Sequence, residues 1–232
     1  MNEPLPLYTL NVPDVVELER MIAADGTPLY ELMVNAGAAL ASAAGERLGR
    51  RGAVVVLAGS GNNGGDGWVA AESLARSGHD VVVVTPRAPE ELTTEPARTA
   101  ALHAVGACPD LPVLVNPGRD ELKGRLAAAD VAIDAMLGTG FSHDVLRAPY
   151  ADWTCELDDA HAAGLHVVAA DIPSGVSAQT GACSKPHVVA DQTVTMMTRK
   201  PGMPPEHCGA VRVAEIHDLA PYEAFLEQRA VR

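Results

Sequence analysis

The chain has 232 residues, of which 47% are hydrophobic and only 3% are aromatic, and its formal net charge is −13. This length predicts one large domain over residues 1–232, with a core built from aliphatic side chains. The acidic balance argues against a nucleic-acid partner, because neutralising phosphates requires clustered Lys and Arg.

The four cysteines are widely spaced and form no C-x-x-C pair: Cys108, Cys155, Cys183 and Cys208. Together with histidines that show no metal-ligand spacing, they predict neither a zinc site nor a disulfide framework. A reduced cytoplasm is therefore the expected compartment. The N-terminus lacks the regions of a signal peptide, and the apolar runs are only strand length, so we expect no membrane partner.

Two helical patterns open the chain. The first begins at Pro13 and Asp14 and continues to Ile22. The second covers roughly residues 29–48, with Thr27 as the predicted N-cap and Pro28 at the first helical position. Its many small residues permit close packing against a sheet or another helix.

Strands and helices then alternate to the end of the chain. We predict strands near residues 53–58, 80–85, 111–115, 130–134, 166–170, 191–196 and 210–214. We predict helices near residues 67–77, 91–105, 119–128, 150–163 and 221–228. This alternation is typical of an α/β fold, here a three-layer αβα sandwich with a Rossmann-like, mainly parallel sheet and helices on both faces. Such sheets bind ligands beyond the carboxyl ends of their strands.

A glycine-rich stretch, GSGNNGGDG over residues 59–67, follows the first strand. We expect its glycines to allow positive φ angles and close approach of a ligand, and the following helix to present backbone N–H groups to a phosphate. A tight turn is the alternative interpretation. Five glycines in nine residues exceed what a turn requires, so binding is favoured.

Two common nucleotide-binding loops do not fit this stretch. Gly59, Gly61 and Gly64 match G-x-G-x-x-G, but the strand ending at Val84 lacks the acidic residue that holds a ribose. This argues against an NAD-dependent oxidoreductase. The P-loop is excluded because Gly64 is followed by Gly65 and not by Lys and Ser or Thr.

Two more predicted strands end in a carboxylate followed by a glycine-bearing loop. Asp134 precedes the loop at residues 137–141, and Asp171 precedes Ile172–Gly175. An Asp at this position often only caps the next turn, but three polar loops at one sheet edge indicate a site. Asn63, Asp134 and Ser174 offer hard oxygen ligands, which disfavour a transition metal, and a single carboxylate is little charge for calcium. A monovalent cation suits them better.

The stretch NNGGDG at residues 62–67 resembles the signature of the NAD(P)H-hydrate epimerase family, the YjeF N-terminal domain. Further blocks extend the resemblance in the family's order: Glu31–Met33 with Ala36–Ala39, Asp134–Phe141, Asp171–Gly175 and Lys200–Gly202. The resemblance implies an isomerase that interconverts the R and S forms of NADH and NADPH hydrated at C6 of the nicotinamide ring.

The resemblance also implies a set of site residues. A potassium ion is expected at Asn63, Asp134 and Ser174. Substrate contacts are expected from Asn62, Asn63, Gly64, Gly65, Asp66, Gly138, Thr139, Gly140, Phe141, Ser142, His143, Asp144 and Asp171.

Asp171 is our candidate for acid–base work, because exchanging a hydroxyl beside a ring nitrogen requires proton transfer at that oxygen. Asp66 competes for this role. The alternative is that Asp66 caps a helix that begins near Gly67, and capping is compatible with ligand contact. Lys200 is placed to reach a phosphate or a loop carbonyl.

The implied partners are the hydrated cofactor, a second copy in a homodimer, and a separate dehydratase that consumes one epimer. We find no dehydratase module after residue 217, so this chain is expected to epimerise and not to dehydrate. A non-catalytic nucleotide-binding or scaffold protein of the same fold is the alternative. A scaffold would have no need of the polar residues at the rim, and their presence favours the enzyme.

Overall fold

The computed structural model describes residues 7–141 and 144–231. Within these ranges, seven strands form one sheet: β1 (Ala53–Ala58), β2 (Asp80–Thr85), β3 (Val113–Val115), β4 (Val131–Ala135), β5 (His166–Ala170), β6 (Gln192–Met196) and β7 (Ala210–Ala214). The helices are α1 (Val12–Ala24), α2 (Leu29–Gly45), α3 (Asn62–Arg76), α4 (Ala97–Ala107), α5 (Arg119–Ala127), α6 (Tyr150–Ala162), α7 (Pro205–Cys208) and α8 (Glu223–Arg229).

The strand order places a topological switch in the middle of the sheet. All neighbouring strands are parallel, in the order β3-β2-β1-β4-β5-β6-β7. The chain moves outward from β1 through β2 to β3 and then returns to the other side of β1 as β4. Loops that leave β1 and β4 therefore diverge, and a crevice opens between them at their carboxyl ends.

Alternate residues of β1 face two separate apolar layers, as expected for a strand covered on both sides. Val54 and Val56 belong to the core beneath α1, α2, α3 and α4. Val55 and Leu57 belong to a second core beneath α5 and α6, where Trp153 is 1% exposed. The predicted three-layer αβα sandwich with a Rossmann-like parallel sheet is confirmed.

Two predicted helix starts and one predicted helix cap are wrong. Helix α3 begins at Asn62 and not at residue 67, so most of the glycine-rich stretch is helical. Helix α4 begins at Ala97 and not at residue 91, because Pro96 occupies its N-cap and a short 3-10 turn precedes it. Helix α2 has Pro28 as its N-cap, without a capping side chain, so Thr27 does not cap it.

Within the described ranges, no helix combines the length and apolar character needed to cross a bilayer.

Candidate functional site

The glycines after β1 serve close packing and not unusual backbone angles. The positive-φ glycines of the described chain all lie outside residues 59–67, so the expected left-handed turn is wrong. A Cβ at Gly59 would lie 1.9 Å from the Met136 carbonyl oxygen, and one at Gly64 would lie 2.0 Å from the Gly59 carbonyl oxygen. Because Gly59 and Gly64 have no Cβ atoms, α3 starts directly against the loops after β1 and β4. Its first turn therefore lies at the crevice.

A cavity of about 660 Å³ occupies this crevice. This cavity is called the main cavity. Its walls come from α1, the first turns of α3, the loop after β4, and the residues that follow β5 and β6. This is the position at which parallel α/β sheets bind ligands.

Eight of the predicted substrate-binding residues line the main cavity: Asn62, Asn63, Asp66, Gly138, Thr139, Gly140, Phe141 and Asp171. Gly64 and Gly65 are buried behind the wall, where a Cβ at Gly65 would meet the Met33 side chain. Asp144 borders a smaller neighbouring cavity of about 150 Å³. The predictions for Ser142 and His143 lie outside the described residues.

Asp171 directly follows β5, and Lys200, which follows β6, holds its side chain in place. Lys200 is buried, and its ammonium donates to Asp171 Oδ1 at 2.5 Å, to Thr195 Oγ1 at 2.8 Å and to the Met196 carbonyl at 3.1 Å. Thr195 Oγ1 and the Met196 N–H also approach Oδ1, at 3.1 and 3.4 Å. The bonds that described residues make to this carboxylate thus all fall on Oδ1, and Oδ2 stays available to a ligand.

The backbone at Asp171 is also unusual. Its φ of 63° lies in the left-handed region, which Asp and Asn tolerate better than other non-glycine residues. Residues held in such conformations cluster at functional sites, where surrounding structure enforces them. Here the Asp171 N–H donates to the Val194 carbonyl at 2.7 Å, and this bond fixes the carboxylate at the cavity wall.

Asp66 and Glu19 add two further carboxyl groups to the main cavity. Burial raises the pKa of Asp66 well above its usual range, and the negative charges of Asp171 and Glu19 raise it further, against a lowering by Lys200. Burial and then Asp171 also raise the pKa of Glu19. Asp66 is the fifth residue of α3, whose N-cap is Gly61, so the expectation that Asp66 caps this helix is wrong.

Asp134 and Ser174 are fully buried beside the cavity and bonded to each other. Ser174 Oγ donates to Asp134 Oδ1 at 2.6 Å, and the Ser174 N–H donates to Oδ2 at 2.7 Å. Burial raises the pKa of Asp134 to about 6, although the Ser174 hydrogen bonds and one from the Met136 N–H lower it. A cation next to this carboxylate would offset its burial.

Asn63 approaches the same place from α3. A Cβ added to Gly138 would lie 3.2 Å from Asn63 Oδ1, and the neighbouring Leu137 N–H donates to Ser174 Oγ at 2.9 Å. The Asn63 amide nitrogen is buried and has no hydrogen-bond partner among the described residues. Because the oxygen and nitrogen of an amide are assigned from their partners, the unpartnered amide atom of Asn63 can also be its oxygen. Asn63 and Ser174 thus both lie beside the segment at Leu137 and Gly138, and Ser174 is bonded to Asp134. Amide, carboxylate and hydroxyl oxygens are donors that fit a hard monovalent cation.

Glu19 is a cavity residue that the sequence interpretation missed. It lies one helical turn after Val15, which is 4% exposed and also lines the cavity. A carboxylate on the apolar stripe of an amphipathic helix is the signal that would have found it. Tyr150 was missed as well; its hydroxyl accepts a hydrogen bond from the Ser60 N–H at 3.3 Å.

This arrangement suits proton transfer without redox chemistry. Asp66 is a buried carboxyl group whose pKa is raised well above its usual range, and it lines the same cavity as the lysine-paired Asp171. Two carboxyl groups in contrasting environments can divide the roles of acid and base.

Residues 29–202 match the family described as YjeF-related protein N-terminus. The chain is 33% identical to an NAD(P)H-hydrate epimerase of Pirellula staleyi, over 85% of this chain and 87% of that protein. It is 38% identical to an NAD(P)H-hydrate epimerase of Cenarchaeum symbiosum, over 84% of this chain and 87% of that protein.

Longer relatives and one solved structure are also similar. A bifunctional NAD(P)H-hydrate repair enzyme of Hyperthermus butylicus is 38% identical over 86% of this chain, which spans only 36% of that enzyme's length. The crystal structure of the yeast protein ynu0 superposes with a TM-score of 0.71 at 24% identity, covering 84% of this chain and 83% of that one. The last comparison supports the fold alone.

Proposed function

The chain belongs to the family of YjeF-related N-terminal domains, and from this premise we propose that it is an NAD(P)H-hydrate epimerase. The proposed reaction interconverts the R and S forms of NADH and NADPH that carry a hydroxyl at C6 of the nicotinamide ring. Relatives that bear this activity in their names match over most of their length. The observation that carries the proposal is the pairing of Asp66 and Asp171 in one cavity.

In the proposed mechanism, the hydrated ring enters the main cavity with its C6 hydroxyl near Asp66 and Asp171. Asp66 delivers a proton to the hydroxyl, the C6–O bond breaks, and water leaves as the ring nitrogen donates its electron pair to C6. The resulting iminium cation is stabilised by the nearby carboxylates.

Water then adds to the opposite face of C6, and a carboxylate takes the proton that it loses. Asp171 is the proposed base, because its Oδ2 remains available while Lys200 holds Oδ1. C6 then has the inverted configuration, and the proton on Asp171 returns to Asp66 by exchange with solvent before the next turnover. The reaction is redox-neutral, and electrons return to the ring nitrogen when C6 is attacked.

The first turn of α3 and the loop at residues 137–140 are the proposed binding elements for the pyrophosphate. Backbone N–H groups and the helix dipole favour anions at a helix N-terminus. Asn62 and Thr139 add polar side chains without adding negative charge.

We further propose that Asn63, Asp134 and Ser174 hold a potassium ion. The ion would supply positive charge beside the buried Asp134 and join the β4 loop, the β5 loop and α3. The support is the donor set and the unpartnered Asn63 amide.

Two partners complete the proposal. A dehydratase that accepts one epimer would consume the product. The longer relative of Hyperthermus butylicus is named a bifunctional NAD(P)H-hydrate repair enzyme, which supports a second repair activity acting on the same metabolite. A homodimer would cover apolar side chains of α1 and α2, where Val16 is 37% and Leu29 is 46% exposed.

A coupled assay tests the proposed function. A mixture of R and S hydrates is given to an S-specific dehydratase, and the protein is then added. We expect faster consumption of the R form, lost in Asp171→Ala and retained in Asp110→Asn, which changes an exposed aspartate. Unchanged consumption of the R form with the intact protein would contradict the proposal.

A further inference from the structure

A second group of metal-ligating side chains lies apart from the main cavity. Cys183, His187 and His207 are half-buried, and their potential ligand atoms all lie within 4.8 Å of one another. The sequence did not predict this group, because His207 follows His187 by twenty residues and belongs to another element. The chain folds so that α7 carries His207 onto the loop that follows β5.

The hydrogen bonds of His187 leave one nitrogen facing His207. His187 Nδ1 lies 3.1 Å from the Ser184 carbonyl oxygen, which can only accept, so Nδ1 carries the proton. In the neutral ring, Nε2 then presents a lone pair toward His207 Nδ1, 3.3 Å away. A neutral ring with a free nitrogen lone pair is the form of histidine that binds metals.

The spacing of these atoms matches a tetrahedral metal centre. Two imidazole nitrogens bound to zinc at about 2.0–2.1 Å are separated by about 3.4 Å in a tetrahedron, close to the 3.3 Å observed. A zinc-bound thiolate would lie about 3.6 Å from each nitrogen. Cys183 Sγ already lies within 4.8 Å of both, so it would close the remaining gap on binding a metal. Donation of Nδ1–H to a backbone carbonyl is the usual orienting contact of a zinc-bound histidine.

The backbone around the group is held in place. Gly175 has φ +90°, and a Cβ there would lie 2.9 Å from His187 Cβ, so glycine permits the close approach. The Ser184 N–H donates to the Gly175 carbonyl at 2.7 Å, and the Ala190 N–H donates to the His207 carbonyl at 2.9 Å. The ligands therefore stand on fixed segments before any ion binds.

We propose that Cys183, His187 and His207 form a binding site for a zinc ion, with a fourth position open to water or another ligand. Sulfur and imidazole ligands select a thiophilic transition metal, unlike the oxygen ligands at Asn63, Asp134 and Ser174. Zinc at this site would clamp α7 to the loop that carries Asp171 and Ser174. This structural role is separate from the proposed epimerase activity.

Metal binding by the full chain tests this proposal. The protein is stripped with a chelator, exchanged into buffer and titrated with Zn²⁺ by calorimetry, and with Co²⁺ by absorption. We expect one ion per chain, a thiolate-to-cobalt charge-transfer band, and a rise in melting temperature with zinc.

Variants identify the ligands. Cys183→Ser and His207→Gln should each weaken zinc binding at least about 10-fold and lose the melting-temperature rise, and Cys183→Ser should lose the charge-transfer band. Cys155→Ser and His103→Gln change an exposed cysteine and an exposed histidine and should bind as the parent does. Melting of each stripped variant verifies its fold. Absence of zinc binding by the parent, or parent-like affinity in Cys183→Ser and His207→Gln, would overturn the proposal.

Discussion

Lys200 Nζ and Asp171 Oδ1 form an ion pair 2.5 Å long at the wall of the main cavity, with the lysine side chain 1% exposed. The pair joins the residue after β5 to the segment after β6 and orients the carboxylate proposed to act as the base. Lys200 holds one oxygen of Asp171, and Asp171 lines the cavity.

Lys200→Met should therefore reduce both stability and activity. The substitution removes the three hydrogen bonds that the buried ammonium donates to Asp171 Oδ1, Thr195 Oγ1 and the Met196 carbonyl, and losing a partner in a buried site costs about 1–3 kcal/mol. Denaturant unfolding and kcat are the measurements. Lys123→Met, at an exposed position of α5, is the matched control. Parent-like stability and kcat in Lys200→Met would show that the pair has no positioning role.

The acid role of Asp66 predicts a shift in the pH profile of kcat. Activity should fall as pH rises through the raised pKa of Asp66, because the proton donor is lost. Glu19→Gln removes one of the negative charges that raise this pKa, so the basic limb should move to lower pH. Asp66→Asn should lower kcat by about 10²–10⁴-fold.

Glu17→Gln provides the control for this prediction, since Glu17 is an exposed carboxylate on the same helix. A basic limb that moves equally in both variants, or stays fixed in Glu19→Gln, would rule out the proposed coupling between Glu19 and Asp66.

The potassium proposal predicts a specific ion dependence. Replacing K⁺ by Na⁺ at constant ionic strength should lower activity and melting temperature, because an ion that binds the folded state stabilises it. Asp134→Ala and Asn63→Ala should abolish the difference between the two ions. Asn62→Ala, which changes the neighbouring cavity residue, should retain it. A potassium effect that persists in Asp134→Ala would refute this assignment.

Close packing at the start of α3 predicts different outcomes for two glycines. A Cβ at Gly64 would lie 2.0 Å from a backbone oxygen, whereas a Cβ at Gly61 meets no atom within 4 Å. Gly64→Ala should destabilise the fold by about 1–3 kcal/mol, and Gly61→Ala by less than about 1 kcal/mol. Chemical denaturation compares them; equal losses would contradict the packing explanation.

The sequence predicted the sheet closely, because runs such as 53–58 and 166–170 are apolar, short and bounded by polar turns. It failed at α3, where Asn62–Gly67 has the composition of a loop and glycine disfavours helix. Tertiary contacts overrode that preference, since the glycines fit against Met136 and Ala135.

The site was predicted in part for a related reason. Asp134 and Asp171 follow strands whose ends meet at one edge, and this could be inferred from βα alternation. Glu19 left one local signal, a carboxylate on the apolar stripe of α1, but that signal does not say which loops α1 packs against. The group at Cys183 left no such signal, because it depends on how α7 packs against a distant loop. Long-range packing of this kind leaves little trace in local pattern.

The most direct test of the central claim uses a single epimer and no coupling enzyme. Purified R hydrate of NADH is incubated with the protein, and the R to S ratio is followed by chromatography, with the S hydrate as the opposite starting point. We predict that both reactions converge rapidly on one ratio with the intact protein. With Asp171→Asn, which tolerates the left-handed backbone at that position, they should converge no faster than without protein. The account would be contradicted if the intact chain changed the R to S ratio no faster than the protein-free control. It would also be contradicted if Asp171→Asn changed the ratio as fast as the intact chain.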